Sequence, residues 1–168
     1  MFTNPYSFTR KKLEPLEFYI PVVILTQLQI EDLEKYLEDD QPQYGSCRNL
    51  LRFGPAASLR TNIRAVAQYA SDSGNGETAF QNVDQCIRAL EDLDSLLLRA
   101  SRKDPEASVK LMRVKIDTAL DALGSLLRTV PSDVLEKGKA VADAYRVPED
   151  DVAPENLDPE LKQLESIL

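Results

Sequence analysis

The sequence predicts an all-helical protein, and three observations support this fold class. Aromatic residues make up only 7% of the chain and Trp is absent, while Leu and Ala, which suit helix packing better than sheet packing, are abundant. Apolar residues recur at spacings of three and four in several segments, which is the period of an amphipathic helix. No segment shows the strict apolar–polar alternation of a strand.

The 168 residues are enough for one domain with its own core. We expect a polar, basic arm at residues 1–12, a helical domain at residues 13–147, and an acidic, proline-rich linker with a short terminal helix at residues 148–168. Short connections force consecutive helices to run antiparallel. The predicted architecture is therefore an up-down-up-down four-helix bundle with an extra N-terminal helical segment and a short C-terminal tail helix.

The extra N-terminal segment, residues 13–40, contains Pro21, which we expect to kink or restart the helix because proline lacks a backbone donor. Residues 18–25 are apolar on nearly every side. A helix of that kind is buried on several sides. Two interpretations remain open here: a central core helix, or a helix that offers part of its surface to a partner.

The four bundle helices are predicted in the amphipathic segments 55–72, 77–103, 105–130 and the segment after Pro131 that reaches Tyr145. Their boundaries follow from turn and cap residues. Asp104 is expected to cap the third helix and Pro105 to begin it. Ser132 or Asp133 is expected to cap the fourth, and Asp133, with Glu136 three residues later, is a capping-box candidate.

The charge and composition exclude several function classes. A formal net charge of −8 disfavours binding to nucleic acid and to anionic membrane surfaces. The absence of His removes the commonest general base and the commonest metal ligand. No stretch reaches the roughly 18 apolar residues of a membrane span. We therefore expect a protein that is not an enzyme, holds no cofactor or metal, and has no transmembrane segment.

The two cysteines, Cys47 and Cys86, are too few for a zinc site. One interpretation makes each a small buried apolar residue. The other pairs them in a disulfide, which requires an oxidising compartment. The acidic pairs and triplets, such as Asp39-Asp40, are expected to be solvated, because they lack the alternating ligand spacing of a calcium loop.

Three stretches resemble the PsbQ-like family, the extrinsic four-helix-bundle proteins of photosynthetic membranes. They begin at Ser58 (Ser-Leu-Arg-Thr-Asn-Ile-Arg-Ala-Val), at Val83 (Val-Asp-Gln-Cys-Ile-Arg-Ala-Leu-Glu-Asp-Leu-Asp) and at Ala119 (Ala-Leu-Asp-Ala-Leu-Gly-Ser-Leu-Leu). The resemblance covers residues 55–147. The long N-terminal helix, the two cysteines and the acidic tail depart from the family pattern.

The resemblance implies a peripheral protein of the chloroplast thylakoid, on its lumenal side. Family members support the oxygen-evolving side of photosystem II, and relatives stabilise the chloroplast NDH complex. The expected function is thus a non-catalytic extrinsic subunit that binds protein subunits of a photosynthetic membrane complex. The basic residues expected to contact the partner are Arg10, Lys11, Lys12, Arg60 and Arg64. The lumen would also permit the disulfide between the two cysteines.

Two other function classes remain open. The first is a stromal or cytosolic helical adaptor or assembly factor that binds a client protein transiently. The second is an enzyme or ligand carrier that uses a pocket without a recognisable motif.

Overall fold

The computed structural model describes residues 12–146. Their helices are α1 (Leu16–Tyr36), α2 (Tyr44–Arg52), a 3₁₀ helix (Gly54–Ser58), α3 (Leu59–Asp72), α4 (Gly76–Ser101), α5 (Val109–Leu127) and α6 (Ser132–Tyr145). No strand occurs within this range, so the all-α prediction is confirmed for it. Residues 1–11 of the predicted arm, and the predicted linker and tail helix at residues 148–168, lie outside the described residues.

Helix α1 occupies the centre of the molecule, as the first of the two interpretations predicted. Its apolar run is buried without a break from Tyr19 to Thr26, and it contacts α2, α3, α5 and α6. The buried Thr26 satisfies its hydroxyl by donating to the carbonyl oxygen of Val22 at 2.9 Å. A helix with neighbours on so many sides requires apolar residues on nearly every face.

Contacts between helices fix their relative directions. The backbone of Glu14 meets Tyr69 and the side chain of Gln29 meets Ala56, so α3 runs antiparallel to α1. Short connections and the ion pairs Arg60–Glu91 and Lys115–Asp92 make α4 antiparallel to α3 and α5 antiparallel to α4. The C-terminal ends of α1 and α4 therefore lie at the same end of the molecule.

Helix α6 packs on α1 through Gly138. A Cβ atom added at Gly138 would lie 2.9 Å from the Cβ of Ile20 and closer still to its Cγ2. At the other end of the contact, Arg146 pairs with Asp32 at 3.3 Å. The earlier residue of α6, Gly138, meets the earlier residue of α1, Ile20, and the later residue, Arg146, meets the later one, Asp32. Helix α6 therefore runs parallel to α1.

Two predictions about helix starts are wrong. Helix α5 begins at Val109 rather than at residue 105, because Ser108 accepts a hydrogen bond from the backbone N–H of Leu111 at 3.2 Å and so supplies the cap. Asp104 instead accepts from the N–H of Glu106 and from Arg99 within the preceding turn. Helix α6 begins at Ser132, after Pro131, with no side-chain cap, so neither Ser132 nor Asp133 fills that role.

A restart of the helix at Pro21 is also wrong, whereas a kink there stays a prediction. Helix α1 is continuous from Leu16 to Tyr36 with Pro21 inside it. Proline removes one backbone donor, whose acceptor would be the carbonyl of residue 17, four positions earlier. Glu17 lies in the exposed first turn, where water can satisfy that carbonyl, and the burial of the residues after Pro21 maintains the helix.

Candidate partner-binding groove

A groove of about 810 Å³ lies between the residues that precede α1 and helices α3 and α4. Its floor includes the buried residues Tyr19, Ala65 and Val83. Phe80 stands beside this floor with 38% of its surface exposed. We call this feature the α1–α3–α4 groove. An apolar floor that water can reach is typical of a surface that binds another molecule.

Two tyrosines hold the chain at the edge of this groove. The backbone N–H of Glu14 donates to the hydroxyl of Tyr19 at 2.9 Å. The hydroxyl of Tyr69 donates to the carbonyl oxygen of the same residue at 2.7 Å. Because both backbone groups of Glu14 are engaged, the segment from Lys12 to Glu14 is fixed along the rim of the α1–α3–α4 groove.

The rim of the α1–α3–α4 groove carries charges of both signs. Lys12 and Arg64 contribute positive charge, and Glu14 and Asp84 contribute negative charge. All four are exposed, and none of them forms an ion pair with another residue in the range 12–146. An apolar centre surrounded by a polar, solvated rim is the usual anatomy of a protein–protein interface.

The structure brings together two of the five predicted contact residues. Lys12 and Arg64 line the α1–α3–α4 groove, but Arg60 lies one helical turn earlier on α3 and pairs with Glu91 of α4. Arg60 lines a separate, smaller pocket of about 260 Å³. Arg10 and Lys11 lie outside the described residues. The five residues therefore do not form one described surface.

Sequence reasoning missed the ion-paired cluster beside that smaller pocket. Asp94 of α4 accepts from Nε of Arg48 at 3.0 Å, from Nη2 of Arg48 at 3.2 Å and from Nη2 of Arg52 at 3.2 Å. Both arginines lie on α2, one turn apart. The two bonds from Arg48 are bidentate, the strongest arrangement for an arginine and a carboxylate. The cluster therefore fixes α2 on α4.

The hydrogen bonds from Arg48, followed by those from Arg52, hold the pKa of the Asp94 carboxyl below its usual value despite partial burial. The same contact raises the pKa of Arg48. The carboxylate is thus fully ionised at neutral pH and its charge is matched by two cations. A carboxylate in that state lacks the raised pKa of a general acid.

Cys47 and Cys86 are free and buried, which agrees with the interpretation of each as a small apolar residue. Burial raises the pKa of the Cys86 thiol to about 12, and it also raises the pKa of Cys47. Because the thiolate is the reactive form, both side chains are poor nucleophiles at neutral pH.

Residues 12–146 contain no group of three or more His, Cys, Asp or Glu side chains placed to hold a metal ion. None of the helices in this part of the chain is both long enough and apolar enough to cross a membrane.

Residues 12–146 thus form a helical protein with an open groove, the α1–α3–α4 groove, on its surface. Residues 15–141 match a family described as a domain of unknown function, DUF7880. Since the match spans well over half of the 168 residues, the chain belongs to this family. No curated protein matches the chain. No solved structure matches it either.

Proposed function

We propose that this protein is a non-catalytic, peripheral subunit that binds and stabilises a photosynthetic membrane complex. The oxygen-evolving side of photosystem II, reached from the thylakoid lumen, is the first candidate. The binding role rests on one observation, the α1–α3–α4 groove with its apolar floor and charged rim. The photosynthetic location rests on the resemblance of residues 55–147 to PsbQ-like proteins.

The proposal includes the up-down-up-down bundle of four helices. The antiparallel contacts of α3 with α4 and of α4 with α5 support it. The sequence prediction counted the segment after Pro131, now α6, as the fourth member. We propose α1 in its place, because α1 contacts both α3 and α5 and is more deeply buried than α6. Helices α2 and α6 would then be additions to the outside of the bundle.

The location is tested on photosynthetic membranes from the source organism. Native complexes are separated before and after a high-salt wash, and the protein is located by mass spectrometry. We expect it to migrate with photosystem II or another thylakoid complex and to be released by the wash. The reason is that salt screens the attraction between the charges of the rim and those of the partner. Recovery only in the soluble fraction, with a client protein, would instead support the stromal or cytosolic adaptor.

The groove is tested by substitution in the same organism. The double variant Arg64→Glu with Phe80→Ala reverses a rim charge and removes the exposed ring, and it should lower occupancy of the complex by about tenfold or more. The matched control is Lys137→Glu with Val141→Ala on α6, where both residues are also exposed. Equal occupancy of the two variants would rule out the α1–α3–α4 groove as the binding site.

A further inference from the structure

A second surface, formed by α5 and the residues that follow α4, combines positive charge with exposed aliphatic residues. Leu111 and Val114 on α5 have 46% and 52% of their surface exposed. The exposed cations Lys110 and Arg113 flank them, and Arg102 and Lys103 follow the end of α4. We call these six residues the basic–apolar surface. It is a local excess of positive charge in a chain whose net charge is −8.

The four cations of this surface have no described counter-ion. None of them forms a salt bridge within residues 12–146, although Arg99, in the same turn, pairs with Asp104 and Glu106. The first turn of α5 contains Lys110 and no acidic residue. Positive charge near a helix N-terminus opposes the helix dipole. Lys110 thus lies where its charge lowers the stability of α5 unless an anion neutralises it.

The strongest match for such a surface within the sequence is the segment 148–168. It contains seven carboxylates and one lysine, together with Leu157, Leu161, Leu164, Ile167 and Leu168. Its acidic and aliphatic residues complement the cations and the aliphatic pair of the basic–apolar surface. Charge complementarity of this kind steers and orients binding.

The path of the chain brings the two parts to the same end of the molecule. Helix α6 runs parallel to α1 and ends at Tyr145, at the end where α4 finishes and α5 begins. Helix α6 contacts α1, and α1 contacts α5, so two interhelical spacings, about 20 Å, separate α6 from α5. Roughly seven extended residues span that distance, which leaves most of the segment available for contact.

From these observations we infer that the acidic segment 148–168 binds the basic–apolar surface of the same chain. The binding neutralises the cations at the start of α5 and covers Leu111 and Val114. This intramolecular contact does not depend on the proposed role in a photosynthetic complex. Any acidic partner of the basic–apolar surface would have to compete with it.

The test uses the full chain with Ser166→Cys carrying a nitroxide spin label. The two native thiols are buried, so the label is specific. We expect strong broadening of the backbone amide signals of residues 102–103 and 110–114. The double variant Lys110→Glu with Arg113→Glu should abolish it, whereas Lys137→Glu with Lys139→Glu, the same charge change on exposed residues of α6, should leave it intact.

Three outcomes would overturn the inference. Absence of broadening at the basic–apolar surface would show that the segment does not bind there. Equal loss of broadening in both double variants would show a non-specific attraction. Broadening that appears when isotope-labelled, unmodified chain is mixed with spin-labelled chain would show that the occupant comes from a second copy.

Discussion

Helices α2 and α6 both lie on the outside of a longer helix, but they are held by different physical means. Helix α6 approaches α1 through Gly138, and its buried residues are only Gly138 and Ala142. Helix α2 buries Cys47 alone and is fixed to α4 through Arg48, Arg52 and Asp94. The α1–α6 contact depends mainly on the absence of a side chain at Gly138, with the partly exposed ion pair Arg146–Asp32 at one end, whereas the α2–α4 contact depends on charge. They should therefore fail under different perturbations.

The largest expected effect is on the α1–α6 contact. Gly138→Ala adds a methyl group against Ile20 and should lower the free energy of unfolding by about 1–3 kcal/mol, as overpacking generally does. The matched control is Gly124→Ala in α5, where an added Cβ has no neighbour within 4 Å. That control should raise stability by about 0.5–1 kcal/mol, because alanine is the better helix former. Urea denaturation measures both.

Adding Ile20→Leu to the Gly138→Ala variant sharpens this prediction. Leucine lacks the Cγ2 methyl that the new Cβ would meet, so the double variant should recover part of the lost stability. Strict additivity of the two substitutions would show that the methyl group and Ile20 do not interact.

A smaller effect is expected at the α2–α4 contact. Asp94→Ala leaves two arginines without their shared carboxylate and should lower the free energy of unfolding by about 1–2 kcal/mol. Amide hydrogen exchange should locate the loss in α2 rather than in α6. If exchange became faster in α6 and did not change in α2, the assignment of Asp94 to the α2 contact would be contradicted.

The same contact gives a pH dependence that the packing of Gly138 on Ile20 lacks. Because the pKa of Asp94 is lower in the folded state, its stabilising contribution is present above the unfolded value of about 3.9 and is lost as pH falls through the folded value. The stability difference between the unmodified protein and Asp94→Asn should thus shrink below about pH 4. Denaturant titrations of both proteins from pH 7 to pH 3 measure it.

The smallest expected effect is that of salt. Raising NaCl from 0.05 to 0.5 M should speed amide exchange in α2 by less than about threefold, because partly exposed ion pairs contribute under about 1 kcal/mol. Exchange in the part of α6 around Gly138 should not change. If salt increased the exchange rate around Gly138 more than the exchange rate in α2, the view that charge holds α2 rather than this part of α6 would be wrong.

The α1–α6 and α2–α4 contacts also differ in how much of each could be predicted from the sequence. A glycine inside a helical pattern, such as Gly138, signals a close approach, but it does not identify Ile20 as the neighbour. Asp94 interrupts an apolar stripe that includes Leu93 and Leu97, which marks it as unusual. Its pairing with Arg48 joins residues 46 positions apart, and hydrophobic periodicity carries no information about such pairs.

The elements themselves were easier to predict than their ends. The apolar run of α1 predicted its burial because only a central helix needs apolar residues on every side. The start of α5 was misplaced because Asp104 and Ser108 are both good caps, and their competition is decided by the hydrogen bonds of Asp104 within its own turn. In the groove, Lys12 and Arg64 were predicted. Tyr69 was missed because its bond to Glu14 joins residues 55 positions apart. Tyr19 is only five positions from Glu14, and it was missed because hydrophobic periodicity carries no information about the hydrogen bond of its hydroxyl.

The tyrosines that position Glu14 have an optical consequence. The chain contains six Tyr and no Trp, so its near-ultraviolet emission comes from tyrosine alone. Tyr19 lies in the floor of the α1–α3–α4 groove, and Tyr69 binds the backbone at its edge. A tryptophan brought into the groove by a partner would accept their excitation energy. Binding can therefore be followed on the unmodified protein as tyrosine emission that decreases while tryptophan emission rises.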